Sequence, residues 1–65
     1  MSKWTPYWVV RFNTGGYGNR YPKRQEAQEY ADAANRYSER TQGERAVVAL
    51  ERYDGSGELV QTVPA

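Results

Sequence analysis

The sequence predicts an α+β domain: one helix packed on a small, mostly antiparallel sheet of three to four strands, in the order β–(β)–α–β–β. Three observations carry this. Tyr7 to Asn13 and Arg45 to Tyr53 are rich in β-branched and aromatic residues and alternate along the chain as strands do. Between them, Pro22 to Gln42 holds mostly good helix formers and runs into Gly43, a natural stop. Glycine-bearing turns follow both strands, at Thr14-Gly15-Gly16 and Asp54-Gly55-Ser56-Gly57.

In the first strand, Trp8, Val10 and Phe12 fall on one side and Tyr7, Val9 and Arg11 on the other, with Pro6 suited to a first or edge position. The first turn tolerates positive φ, and Tyr17 to Tyr21 returns as a short second strand. Pro22 opens the helix, because its fixed φ fits a first turn and biases Tyr21 toward an extended backbone. Ala27, Tyr30, Ala31, Ala34, Tyr37 and Thr41 recur at three- and four-residue intervals. That stripe is narrow and mainly alanine, so the helix can approach a sheet closely. In the strand from Arg45 to Tyr53, Ala46, Val48 and Leu50 oppose Val47, Ala49, Glu51 and Tyr53. Glu58 to Val63 is the last strand, ended by Pro64. Trp8, Val10, Phe12, Val48 and Leu50 are therefore expected beneath the helix. Tyr7, Val9, Arg11, Val47, Ala49, Glu51 and Tyr53 are expected on the open face.

Sixty-five residues make one domain, expected over 1–65 with 1–5 and 64–65 as tails. A chain of this size buries only about 60% of the surface its unfolded form exposes. With neither Cys nor His, disulfides and ordinary zinc sites are excluded as staples. Two Trp, six Tyr and one Phe are the available burial. No apolar run approaches the ~20 residues of a membrane span, Met-Ser-Lys-Trp lacks the apolar core of a secretory signal, and no lipidation motif appears. The expected location is a cytoplasm, bacterial or that of an infected host.

Charge is sorted along the chain. Residues 1–24 carry Lys3, Arg11, Arg20, Lys23 and Arg24 without an acid, interleaved with Trp4, Tyr7, Trp8, Phe12, Tyr17 and Tyr21. All eight acids follow, against Arg36, Arg40, Arg45 and Arg52, for a net charge of +1. Basic and aromatic residues together are the footprint of a nucleic-acid or anion binder, which makes Arg11, Arg20, Lys23, Arg24, Tyr17 and Tyr21 the candidate contacts. Lys23 and Arg24 stand in the first helical turn, where the macrodipole favours acids and no Ser, Thr, Asp or Asn caps the helix. With Arg20 and the loop glycines Gly15, Gly16 and Gly18 they are expected to form an anion cradle. The plainer reading is two solvated cations neutralised by Glu26 and Glu29. The open sheet face is more apolar than a solvated face requires, and Tyr7, Val9, Val47 and Tyr53 are its candidate protein-contact residues.

Other signals reduce to turns. Gly16-Tyr17-Gly18 begins like a dinucleotide fingerprint but lacks the third glycine and the βαβ unit. Asp54, Ser56 and Glu58 offer too few ligands for a calcium cage. The serines lack an adjacent base and the carboxylates are dispersed, so no catalytic residue, metal or cofactor is expected.

The segment from Tyr7 to Tyr30 reads Trp-Val-Val-Arg-Phe, a glycine turn, then Tyr-Pro-Lys-Arg-Gln-Glu-Ala-Gln-Glu-Tyr. It resembles the arm-type DNA-binding domains of phage integrases, which run strand, turn, strand and then an Ala- and Glu-rich helix. The likeness spans less than half the chain, and that family sets three strands before its helix, so no residue role is carried over. In size and style the chain is also similar to small phage accessory proteins that bind and inhibit host machinery. The first expectation is a non-catalytic phage or mobile-element accessory protein whose N-terminal half docks onto nucleic acid or a nucleic-acid-handling complex. The alternative is a protein–protein inhibitor (anti-defence, such as anti-CRISPR, or polymerase-binding) or a homodimer, acting through the open sheet face. Neither a membrane nor a small-molecule substrate is expected.

Overall fold

In the computed structural model, which describes residues 5–65, the chain forms β1 (Tyr7–Phe12), β2 (Tyr17–Tyr21), α1 (Arg24–Gln42), β3 (Val47–Tyr53) and β4 (Leu59–Pro64). The strands make one antiparallel sheet of order β2-β1-β3-β4, and α1 lies across one face of it, an α+β arrangement. Lys3, Trp4 and most of the expected N-terminal tail lie outside the described residues. At the other end, Pro64 is the last residue of β4, and the Ala65 N–H donates to the Val48 carbonyl at 3.3 Å.

Both hairpins are built alike. The Phe12 N–H donates to the Gly16 carbonyl (2.8 Å) and the Gly15 N–H to the Phe12 carbonyl (2.9 Å), with Gly15 at φ 92°. In the second, Asp54 N–H donates to the Glu58 carbonyl (2.9 Å) and Gly57 N–H to the Asp54 carbonyl (3.1 Å), with Gly57 at φ 87°. A left-handed residue at the end of a three-residue loop closes such hairpins, and glycine adopts it without a steric penalty.

The core sits between the two central strands and the alanine stripe. Val10 stands opposite Leu50, and both are fully buried with Trp8, Val47, Ala27 and Ala31. Each large aliphatic side chain buried there contributes about 1.5–3 kcal/mol. Phe12, Tyr21, Ala34, Val63 and Ala65 pack around them. The helix packs on β1, β2 and β3 but does not reach β4.

Val47 and Val48 exchange the places that simple alternation assigns them. The β1–β3 register runs Val10↔Leu50, Arg11↔Ala49, then Phe12↔Val47, so β3 carries one extra residue there. A bulge of this kind resets which side chains face the core. Val47 consequently lies under the helix with no accessible surface, and Val48 is exposed.

The helix also differs from its expected frame. Pro22 precedes it, Lys23 is the N-cap residue (φ −128°, ψ 144°) and Arg24 the first helical residue. Its buried positions are Ala27, Ala31, Asn35 and Ser38, while Tyr30, Tyr37 and Thr41 are exposed. The two polar residues are buried because each is paired. Asn35 Nδ2 donates to the Val47 carbonyl (3.0 Å) and Asn35 Oδ1 accepts from the Val47 N–H (2.7 Å). Ser38 Oγ donates to the Glu44 carbonyl at 2.7 Å, folding the chain back after Gly43, whose φ of 76° ends the helix.

Two substitutions test this account. A Cβ at Gly18 would stand 2.5 Å from Val10 Cγ2 and 3.2 Å from Phe12 Cε2. Gly18→Ala should therefore destabilise by about 1–3 kcal/mol through overpacking, read as a lower midpoint in urea unfolding. Asn35→Leu keeps the volume but strands the Val47 N–H and carbonyl, at roughly 1–3 kcal/mol per unpaired group. Thermal melts should show the loss at about 4–8 °C per kcal/mol for a domain of this size.

Candidate nucleic-acid interface

The sheet face opposite the helix is coated by polar and aromatic side chains. Arg20, Val9, Glu51 and Thr62 form one row across the strands in register. In the next row Tyr7 stands opposite Tyr53, their rings stacked at 5.4 Å and 15°. The Arg20 guanidinium lies over the Tyr7 ring, 4.4 Å from its centroid. Glu51 is only 2% exposed, and both its oxygens are engaged. The Tyr53 hydroxyl donates to Oε1 at 2.9 Å, and Arg11 Nη1 to Oε2 at 3.4 Å. A carboxylate removed from water is tolerable only with such partners.

These contacts revise the expected protein interface. Val9 does lie on this face but is only 5% exposed, and Val47 is on the other face, in the core. Of the four residues assigned to a protein contact, Tyr7 and Tyr53 alone keep substantial surface, and they spend one ring face on each other. Arg11 is likewise committed, its charge shared with Glu51, although its side chain stays 47% exposed. Tyr17 is the open aromatic of the face, at 55% exposure.

The cations gather at the corner where β2 runs into α1. Arg20 closes the open face there, and Lys23 and Arg24 follow within one turn of chain. The Arg24 guanidinium sits 5.7 Å from the ring centroid of Trp8, on the helix side. In register, Trp8 lies between Tyr21 and Arg52, which brings a fourth cation to the same end of the sheet. Among the described residues the ion pairs are Arg11–Glu51 and Arg45–Glu39, so Arg20, Lys23, Arg24 and Arg52 engage no carboxylate. The first helical turn has one acid, Glu26, and no side chain caps it.

Two of the expected contributors stand elsewhere. Tyr21 turns to the helix side, packs against the core and meets Tyr30 at 6.0 Å. The glycine loop cannot cradle an anion with Lys23 and Arg24, because β2 lies between them as an extended strand. Five residues at about 3.3 Å each hold the loop and the helix start apart. Arg52 is the residue that charge counting along the chain overlooks, although strict alternation two places beyond Leu50 signals its position.

The other sites are closed. Asp54 Oδ1 accepts from the Ser56 hydroxyl (2.7 Å), the Ser56 N–H (2.8 Å) and the Glu58 N–H (2.9 Å). Those bonds, the Ser56 hydroxyl foremost, hold its carboxyl below its ordinary range, and they are a turn's own wiring. Among the described residues no cluster of His, Cys, Asp or Glu is placed to hold a metal, and no concave pocket forms. No helix there is long and apolar enough to cross a membrane. No protein-family model, curated protein or solved structure matches the chain.

Burial first, then the hydrogen bonds to Glu51 and Tyr17, hold the Tyr53 hydroxyl well above the ordinary tyrosine range. With the folded pKa raised, the neutral phenol stabilises the fold fully below the unfolded pKa of about 10, and that contribution falls as pH rises beyond it. Urea unfolding between pH 9 and pH 11 should show a steeper alkaline loss in the native chain than in Tyr53→Phe. Equal slopes would show that the hydroxyl is not protected in the fold.

Proposed function

We propose that this protein is a non-catalytic module that binds single-stranded nucleic acid at the β2–α1 corner. Arg20, Lys23, Arg24 and Arg52 contact the phosphates around the sheet edge, and Tyr17, at the other end of β2 on the open face, stacks a base further along the nucleic acid. The observation that carries the reading is the state of those four cations. The chain has eight acids, yet none pairs with them among the described residues, and two of the guanidiniums lie over aromatic rings, 4.4 and 5.7 Å from the centroids. An arginine seated on a ring is oriented at an entropic cost already met, with N–H groups left for an external anion. The uncapped N–H groups at the start of α1 add to the same field. Single strands fit better than a duplex groove, because Tyr17 keeps 55% of its surface exposed and offers a ring on which an unpaired base can stack.

Fluorescence anisotropy with a labelled oligothymidine tests the reading. Three or four phosphate contacts give a slope of roughly −2 to −3 in log affinity against log salt. Lys23→Glu with Arg24→Glu should abolish binding, and Tyr17→Ala should weaken it by roughly 1–3 kcal/mol. Binding untouched by the charge reversals, or absent from the native chain at low salt, would end the proposal.

A further inference from the structure

We infer, on the nucleic-acid function just proposed, that Tyr53 is the positioning residue for Arg20, acting through a relay that runs from buried Glu51 across two rings. Tyr53 touches no phosphate in this arrangement; it aims the side chain that does. Arg20 stands opposite Val9 on β1, and Tyr7 lies two places from Val9 on the same face. Val9 is short, apolar and 5% exposed, so it gives a guanidinium nothing to hold. The Arg20 side chain reaches diagonally instead and lies over the Tyr7 ring, 4.4 Å from its centroid. Tyr7 is directly opposite Tyr53, and their rings stack at 5.4 Å and 15°. The Tyr53 hydroxyl then donates to Glu51 Oε1 at 2.9 Å.

Each link constrains the next. Glu51 is 2% exposed, which makes its carboxylate the fixed end of the relay. Arg11 Nη1, 3.4 Å from Oε2, balances its charge, so Arg20 is left to the ring. A phenol tied at its far end cannot swing away from the sheet. The strand order β2-β1-β3 sets Arg20 and Tyr53 on opposite sides of Tyr7, so Tyr53 backs the ring on which Arg20 rests. Without Tyr53, Tyr7 gains other rotamers and Arg20 gains them too, and phosphate binding must then supply the ordering. The charge of the site is unchanged by that loss. Electrostatics alone therefore assigns Tyr53, a neutral side chain, no influence on phosphate binding, whereas the relay assigns it one that passes wholly through Arg20.

A double-mutant cycle on the full chain, read by anisotropy of the labelled oligothymidine, tests the relay. Tyr53→Leu keeps an apolar side chain but removes the ring, and should weaken binding about two- to fivefold, the worth of an exposed cation–π contact. In an Arg20→Ala background the same change should leave the affinity where it was. Where Tyr53→Leu does not fold, Tyr53→Phe takes its place with the same pattern expected, since it keeps the ring but not the bond to Glu51. In the free chain, NMR should show the Arg20 side-chain protons shifted upfield by the Tyr7 ring, and the shift should shrink in the Tyr53 variant. Equal losses in both backgrounds would overturn the relay, because Tyr53 would then act on the fold at large or stack a base itself. An Arg20 shift untouched by the variant would overturn it as well. A native chain that binds no oligothymidine would instead remove the nucleic-acid function, and the relay's role with it.

Discussion

Val10 and Leu50 face each other across the central strand pair, and Ala27 and Ala31 rest on them from above. That four-residue junction is where the helix and the two halves of the sheet become one body. The alanines matter as much as the aliphatics, because only small side chains let a helix backbone come close to a pleated surface. The same closeness explains Gly18, where β2 has no room for a Cβ beside Val10 and Phe12. It also explains why Asn35 can reach the backbone of Val47.

One helix covers three strands and one face, and the rest of the sheet is arranged around that shortage. On the far face the chain does not leave valines open to water. It lays Arg20, Tyr7 and Tyr53 over the middle of the sheet and anchors the group on a buried carboxylate. Glu51 organises more than it stabilises: removing a carboxylate from water is costly, and its bonds to Arg11 and Tyr53 offset that cost while fixing both side chains. Lys23, Arg24 and Arg52 at the corner stand outside this network.

Much of the fold is legible in the residues themselves. Alternation along Tyr7 to Phe12, the proline and glycine that bracket the helix, and the two glycine hairpins each state their element locally. What is not legible depends on a partner strand. The period-two pattern of β3 is broken by one extra residue opposite Arg11, and nothing within Val47-Val48-Ala49 announces it. Asn35 and Ser38 read as surface residues until the carbonyls they serve are in place. Of the candidate site, the basic corner is partly visible as a charge run at Arg20, Lys23 and Arg24. Its fourth member comes from the acidic half of the chain, and Tyr21 leaves the set because its neighbour in register is Trp8.

The strand order has a consequence for how the chain assembles. β1 with β2 and β3 with β4 are hairpins of neighbours in sequence, each closing across a tight loop in roughly microseconds. The seam between β1 and β3 is different, since Phe12 and Val47 meet only after about 35 intervening residues, helix included, have been gathered in. Neither hairpin is durable alone in water. The loop-closure entropy of the fold is therefore concentrated in that seam, and only its zipping under the helix joins the two ribbons into one packed body.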